Sequence, residues 1–197
     1  MAPAKEESWR VFCAIELPAV VREAIADFSS KLRGSIPDVR ASWIRAHNIH
    51  LTLKFLGNIS PARVSTLSTA AERTVNRSSS FEIHVEGTGS FPPHGAPRVL
   101  WIGLSDSDDQ LRRMQKILDE ECCKVGFEKD SRVFNPHLTI ARVRSREGAS
   151  KLAKLHRELT FGPLLLSVTE LVVIRSELSS AGSRYTVLSR HQLDGAP

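Results

Sequence analysis

The tripeptide His-Leu-Thr occurs twice in this chain of 197 residues, at 50–52 and again at 137–139. The two histidines are 87 residues apart (137 − 50), so each half of the chain carries one copy. Because side chains alternate between the faces of a β-strand, a histidine and a threonine two residues apart point the same way. Each copy therefore offers an imidazole and a hydroxyl together on one face.

Two such pairs facing one cleft could act on a single phosphate. The pKa of histidine is roughly 6.5, so both protonation states are accessible near neutral pH. Hydrolysis of a phosphodiester needs a base that takes a proton from water and an acid that protonates the leaving alkoxide. Threonine hydroxyls can donate to the non-bridging oxygens, where charge concentrates in the transition state. One strand histidine is more often structural, but the duplicated pair favours a catalytic site.

The residues that follow the first copy also have predicted orientations. Strict alternation places Leu51, Leu53 and Phe55 in a core and Lys54 on the same face as His50. Lys54 could then supply positive charge to the wall of the cleft or be solvated. For Phe55 we expect core packing, although its ring could also stack on a base.

Arg142 follows Thr139 by three positions in the second copy. A guanidinium pairs well with phosphate oxygens, so a role in phosphate binding is plausible. Strict alternation argues against it, since it places Arg142 on the face opposite His137. A bulge or a strand end would turn Arg142 back, and both alternatives stay open.

Two more aromatic residues, Trp43 and Tyr185, are candidates for stacking on a base. Tyr185 follows a turn that contains glycine. The remaining histidines lack a paired threonine, and we interpret them as structural or exposed: His47, His84, His94, His156 and His191. No spacing of Cys and His typical of a metal site occurs, so no metal is predicted.

Hydrophobic periodicity predicts alternating strands and helices. The predicted strands are 9–17, 43–44, 50–56, 81–86, 99–104, 136–143, 164–174 and 185–193. The predicted helices are 18–34, 60–76, 106–125 and 145–159, and a loop rich in Gly and Pro covers 87–98. Each half contains a histidine strand followed by a helix. This layout indicates an α+β fold in two pseudo-duplicated lobes, each an antiparallel sheet with helices outside, around a central cleft. We expect residues 9–193 to form one bilobal domain, 1–8 a disordered tail and 194–197 a frayed terminus.

Composition narrows the class of protein. Hydrophobic residues make up 41% and charged residues 25%, which is ordinary for a globular protein. No apolar run is long enough to span a membrane and the polar N-terminus is unlike a signal peptide, so we expect a cytoplasmic protein without membrane contact. Three cysteines, two of them adjacent, predict reduced and buried thiols. A net charge of +5 weakly favours a polyanionic partner.

The two motifs resemble those of the 2H phosphoesterase superfamily, which is named for two histidines in His-x-Thr motifs. The flanking segments resemble one branch more closely, the RNA 2′,3′-cyclic phosphodiesterases, also called 2′-5′ RNA ligases. The resemblance extends over residues 9–193 and is carried by RVFCAIELP, SWIRAHNIHLTLKFLGNIS, GTGSFPPHGAPRVLWIGL, FNPHLTIAR and VIRSELSSAGSRYTVLSRHQL.

This resemblance implies a bilobal α+β fold with both histidines in the central cleft. It implies hydrolysis of an RNA-terminal 2′,3′-cyclic phosphate to a 2′-phosphate, without metal or cofactor, by a protein that we expect to be a monomer. His50 would protonate the departing O3′, His137 would activate water, and Thr52 and Thr139 would hold the phosphate. Some members also join RNA ends through a 2′-5′ linkage.

Two other functions stay open. One is a 2H phosphodiesterase acting on a small cyclic nucleotide or a cyclic ADP-ribose phosphate. The other is a non-catalytic module that binds RNA or a nucleotide in the cleft.

Overall fold

Nine strands and four α-helices make up the secondary structure of residues 7–179 and 182–195, which the structure, a computed structural model, describes. The strands are β1 (Trp9–Glu16), β2 (Ala41–Trp43), β3 (His50–Ile59), β4 (Phe81–Phe91), β5 (Val99–Ser105), β6 (His137–Val143), β7 (Leu164–Val168), β8 (Glu170–Ser179) and β9 (Gly182–Gln192). The helices are α1 (Ala19–Ser35), α2 (Val64–Val75), α3 (Gln110–Lys124) and α4 (Ala149–Glu158).

The strands form two antiparallel sheets. Sheet A has the order β3-β1-β8-β9, and sheet B has the order β2-β6-β5-β4-β7. One histidine strand lies in each sheet: β3 at the edge of sheet A and β6 next to β2 in sheet B. The predicted α+β fold with two antiparallel lobes is therefore confirmed.

The helices cover the sheets because each presents an apolar stripe. Helices α2 and α3 pack against each other, and they contact β8 and β3 of sheet A. Helices α1 and α4 contact each other, and α4 packs on β4 of sheet B. None of these described helices combines the length and the apolar composition that crossing a bilayer requires.

One continuous hydrophobic core joins both sheets. Its members include Leu51 and Leu53 of β3 and Leu138 and Ile140 of β6, all at most 2% exposed. Strand β1 is buried on both faces, and a smaller cluster around Phe12 lies on its other side. Because both histidine strands are anchored in one core, their outward-facing side chains are held in a fixed mutual position.

Some predicted boundaries are wrong. The apolar run 164–174 is two strands, β7 and β8, that belong to different sheets. Strand β4 continues through the Gly-rich segment as far as Phe91, and β9 begins at Gly182 instead of residue 185. The other strands and helices shift at their ends by one to four residues, with α2 preceded by a short 3-10 turn at Pro61–Arg63.

The chain termini only partly fall within the described residues. Residues 1–6 of the predicted disordered tail, and 196–197 of the predicted frayed end, lie outside them. Within the described residues, the carbonyls of Asp194 and Gly195 accept hydrogen bonds from the backbone N–H and the hydroxyl of Ser80, respectively, and fraying of the terminus stays a prediction. Of the thiols, Cys13 and Cys122 are buried as predicted, whereas Cys123 is only half-buried.

Candidate active site

The two histidine strands contact each other at the seam between the sheets, although they are not hydrogen-bonded partners. A cleft of about 550 Å³ opens along this seam. His50 and Thr52 line it from one sheet, and His137 and Thr139 line it from the other. The structure thus brings together the four residues of the repeated motif.

Both imidazoles are held in the same way. Nδ1 of His50 lies 2.9 Å from the carbonyl oxygen of Asn48, and Nδ1 of His137 lies 2.8 Å from that of Asn135. A carbonyl oxygen only accepts, so each Nδ1 carries a proton and donates it. Nε2 of each ring is then left for a substrate, as a proton acceptor in the neutral form and a donor in the charged form.

Aromatic rings surround His50. Its ring stacks on Phe12, with ring centroids 4.6 Å apart and planes at 25°. The ring of Tyr185 meets it edge-on, with ring centroids 5.2 Å apart. Burial lowers the pKa of His50, while its hydrogen bond to the Asn48 carbonyl and the negative charge of Glu16 act in the opposite direction. This lowered pKa favours the neutral imidazole in the free protein.

His137 has aromatic neighbours of its own from sheet B. The ring of Phe91 meets the imidazole edge-on, with ring centroids 5.0 Å apart. The ring centroid of Trp101 lies 6.4 Å from that of His137. Trp101 occupies the space above Gly89, where an added Cβ would collide with the indole. A glycine at position 89 therefore allows the tryptophan to lie beside the second histidine.

A β-bulge follows the threonine in both motifs. Successive residues of β1, Cys13 and Ala14, pair with Lys54 and Thr52, so Leu53 is an extra residue in β3. In sheet B, Leu100 pairs with Ala141 and Trp101 with Thr139, so Ile140 is the extra residue in β6. A bulge of one residue reverses the alternation beyond it.

The two bulges turn corresponding residues toward the cleft. Phe55 and Arg142 each lie five positions after their histidine, and both line the cleft. The expected core packing of Phe55 is therefore wrong, since its side chain is 40% exposed. Arg142 takes the second of the two alternatives left open by the sequence.

Lys54 does not reach the cleft and is turned into the core instead. It is 3% exposed, and Nζ donates to Asp119 Oδ1 at 2.5 Å and to the Glu128 carbonyl at 2.8 Å. The same Asp119 oxygen accepts from the backbone N–H of Asp130 at 3.0 Å. The ion pair thus holds the segment that carries Arg132, whose side chain lines the cleft.

The cleft is suited to an anion. Three arginines line it, namely Arg10, Arg132 and Arg142, and no carboxylate does so within the described residues. The hydroxyls of Thr52 and Thr139 form no hydrogen bond in the described part of the chain, so both are available to a ligand. Cationic groups and free hydroxyl donors around two imidazoles match the oxygens of a phosphate.

Of the other residues considered from the sequence, some line the cleft and others lie away from it. Tyr185 lines the cleft beside His50, whereas Trp43 packs on the core away from it. His156 is buried and donates from Nε2 to the carbonyls of Gly89 and Trp101. Over residues 7–179 and 182–195, no cluster of three or more His, Cys, Asp or Glu side chains could hold a metal ion.

Sequence reasoning missed Phe12 and the two asparagines that hold the histidines. A signal for the asparagines exists, because each motif reads Asn-x-His-Leu-Thr, beginning at Asn48 and Asn135. Asn48 is buried, and its side chain donates to the carbonyl of Ser183 at 2.8 Å, which fixes the loop before His50 to β9. Phe12 carries no comparable signal.

Known proteins have similar sequences. A sequence profile described as the 2′-5′ RNA ligase superfamily matches residues 20–179. A protein named RNA 2′,3′-cyclic phosphodiesterase from Methanothermobacter thermautotrophicus is 32% identical over 178 residues, covering 90% of this chain and 95% of the relative. A relative of that name from Geobacillus stearothermophilus is 31% identical over 186 residues, or 94% of this chain, which spans 58% of that relative's length.

Solved structures share the fold. The crystal structure of TT0787 from Thermus thermophilus has a TM-score of 0.81 at 27% identity, covering 94% of this chain and 98% of that one. Escherichia coli LigT, crystallised with 3′-AMP, has a TM-score of 0.75 at 29% identity, covering 95% of this chain and 99% of that one. With the profile match over most of its length and identity above 30% to full-length relatives, this chain belongs to the 2′-5′ RNA ligase superfamily.

Proposed function

We propose that this protein hydrolyses the 2′,3′-cyclic phosphate at the 3′ end of RNA to a 2′-phosphate. The observation that carries the proposal is the pairing of two imidazoles, each with Nε2 available, in one cleft lined by arginines. The relatives named RNA 2′,3′-cyclic phosphodiesterase support the choice of RNA.

In the proposed reaction His137 is the base and His50 is the acid. Neutral His137 accepts a proton at Nε2 from water as the water oxygen bonds to phosphorus. The bond between phosphorus and O3′ breaks, and charged His50 gives its Nε2 proton to O3′. The products are a 2′-phosphate and a 3′-hydroxyl, and the two histidines exchange protonation states until solvent restores them.

The protonation of His50 fits this division of roles once substrate is bound. Burial lowers the pKa of His50 in the free protein. A phosphate diester carries a negative charge, and an opposite charge within a few ångströms raises the pKa of an imidazole. Substrate binding therefore favours the charged form of His50, which is the form that donates a proton to O3′.

Other cleft residues hold the substrate in this scheme. Thr52 and Thr139 donate their free hydroxyls to the non-bridging oxygens, and Arg142 neutralises their charge. Tyr185 borders the cleft beside His50, where its ring can pack against the terminal base.

The same geometry accepts a different nucleophile. A 5′-hydroxyl in the place of water would attack the same phosphorus, release O3′ and leave a 2′-5′ linkage. This joining reaction needs no additional group, and it belongs to the proposal as a second reaction of one site.

The test is hydrolysis of an oligoribonucleotide that ends in a 2′,3′-cyclic phosphate, in the presence of EDTA. We expect a 2′-phosphate product, identified by phosphorus NMR. Because acid–base groups contribute roughly 10²- to 10⁴-fold, His50→Ala and His137→Ala should each lose at least about 100-fold in kcat.

The matched control is His84→Ala, which removes an exposed histidine of β4 that does not line the cleft. It should keep wild-type kcat. A 3′-phosphate product would refute the assignment of O3′ as the leaving group. A strict requirement for a metal ion, or full activity in either histidine variant, would refute the two-histidine mechanism.

A further inference from the structure

A second cavity, of about 360 Å³, adjoins the cleft. The two share four wall residues, Asn48, His50, Ser183 and Tyr185, so a ligand at His50 has a direct route into the neighbouring cavity. We call it the basic pocket, because its wall also contains Arg22, Arg45, His47 and Arg184.

Two cations of the basic pocket, Arg22 and Arg184, are not neutralised by its other described residues. Its single carboxylate among the described residues is Glu16, which is paired with Arg190 at 2.6 Å. The side chains of Arg22 and Arg184 form no hydrogen bond or ion pair in the described part of the chain. Arg22 is also half-buried, and a guanidinium in a concave surface is a strong binder for phosphate oxygens.

The cavity at the opposite boundary of the cleft differs in charge. It shares Phe55 and Arg132 with the cleft, but its wall contains the carboxylates of Glu128 and Asp130. Its Arg63 already donates to the carbonyls of Val125 and Gly126. Among the described residues, that cavity offers one unpaired cation, the exposed Lys129, beside its two carboxylates, whereas the basic pocket offers two unpaired arginines.

We propose that the basic pocket binds the phosphate that precedes the terminal nucleotide of RNA, namely the one on its 5′ oxygen. This inference rests on the proposed function, since it takes the cyclic phosphate to lie at His50 and His137. The ribose that carries the cyclic phosphate also carries the next phosphate of the strand, and Arg22 and Arg184 are the cations positioned to receive it. A mononucleoside cyclic phosphate lacks this group.

Three substrates test the assignment: adenosine 2′,3′-cyclic phosphate, the same compound with a 5′-phosphate, and the dinucleotide ApA with a 2′,3′-cyclic phosphate. We expect the wild type to favour the last two in kcat/KM. Arg22→Met and Arg184→Met should each lose about tenfold on those two substrates and keep their rate on the first. Arg113→Met, which removes an exposed arginine of α3 outside both cavities, is the matched control and should change none of the three.

Salt adds an independent readout. Each phosphate contact to a single strand contributes roughly 0.7 to the slope of log affinity against log salt, so each variant should flatten that slope for the dinucleotide.

Equal losses of kcat/KM on all three substrates would overturn the assignment, as would unchanged rates of both variants on all three. The assignment would also fail if the wild type had the same kcat/KM with and without the 5′-phosphate. If the wild type hydrolyses none of them, the proposed function fails instead. Calorimetric binding of ApA 2′-phosphate to wild type and Arg22→Met then still tests the pocket.

Discussion

Replacing Lys54 by methionine tests the internal contact that the bulge in β3 creates. The change removes the cation of a pair whose side chains are 3% and 10% exposed, and it leaves the Asp119 carboxylate charged in the core. Breaking a buried pair by removing one partner costs about 3–5 kcal/mol, because the remaining charge is uncompensated. We expect the free energy of unfolding to fall by this amount. The double variant Lys54→Met/Asp119→Asn should recover much of the loss, since the carboxamide is neutral and still accepts from Asp130.

The assay is urea unfolding at neutral pH, followed by circular dichroism and tryptophan fluorescence. Lys154→Met is the matched control, because it breaks a pair with Glu158 whose side chains are 73% and 59% exposed. Exposed pairs contribute about 0–1 kcal/mol, so this variant should unfold close to the wild type. If Lys54→Met also lost less than about 1 kcal/mol, or if the double variant were no more stable than the single, the account of the buried pair would be refuted.

Three further predictions concern the cleft and the thiols. The NMR-monitored pKa of His50 should lie below the usual value of about 6.5 because burial disfavours the charged ring, and it should rise when inorganic phosphate binds. A value at or above the usual one in the free protein would contradict the burial argument. Arg142→Met should raise KM for the cyclic substrate about tenfold while unfolding like the wild type; unchanged KM would remove Arg142 from the site. A thiol reagent should modify the half-buried Cys123 quickly in the native protein, whereas burial raises the pKa of Cys122 to about 12 and that of Cys13 well above its usual value, so these two should react only in urea. Rapid modification of all three in the native protein would show that the core is open.

Alternation in the sequence correctly placed the histidine and threonine of each motif, because those residues precede the bulge. Beyond it the same rule failed for Lys54 and Phe55. A bulge is set by the register of the partner strand, here β1 for β3, and that register is a property of the folded sheet. The sequence could therefore predict the start of each motif strand but not the residues after the threonine.

The division of 164–174 into two strands illustrates a second limit. Apart from Ser167, Thr169 and Glu170 the run is apolar, so its hydrophobic pattern predicts one strand. Thr169 separates β7 from β8, and the chain passes there from sheet B to sheet A. Both strands are apolar because each faces the shared core, and burial alone carries no information about which sheet a residue joins.

The cleft residues outside the motifs were the hardest to predict. Phe12 belongs to a strand that is buried on both faces, so nothing in its pattern distinguishes the ring under His50 from the core residues beside it. The basic pocket likewise joins Arg22 of α1 to Arg184 of β9, which are 162 positions apart (184 − 22). Such neighbours follow from the sheet order and not from local spacing.

The central claim is that two histidines act together on one phosphate, and a double-mutant cycle tests it most directly. Catalytic groups that act as a unit lose activity in a non-additive way. We predict that kcat of His50→Ala/His137→Ala on an RNA 2′,3′-cyclic phosphate equals that of the less active single variant. Losses that multiply in the double variant would contradict the account, because they would mean that the two imidazoles act independently.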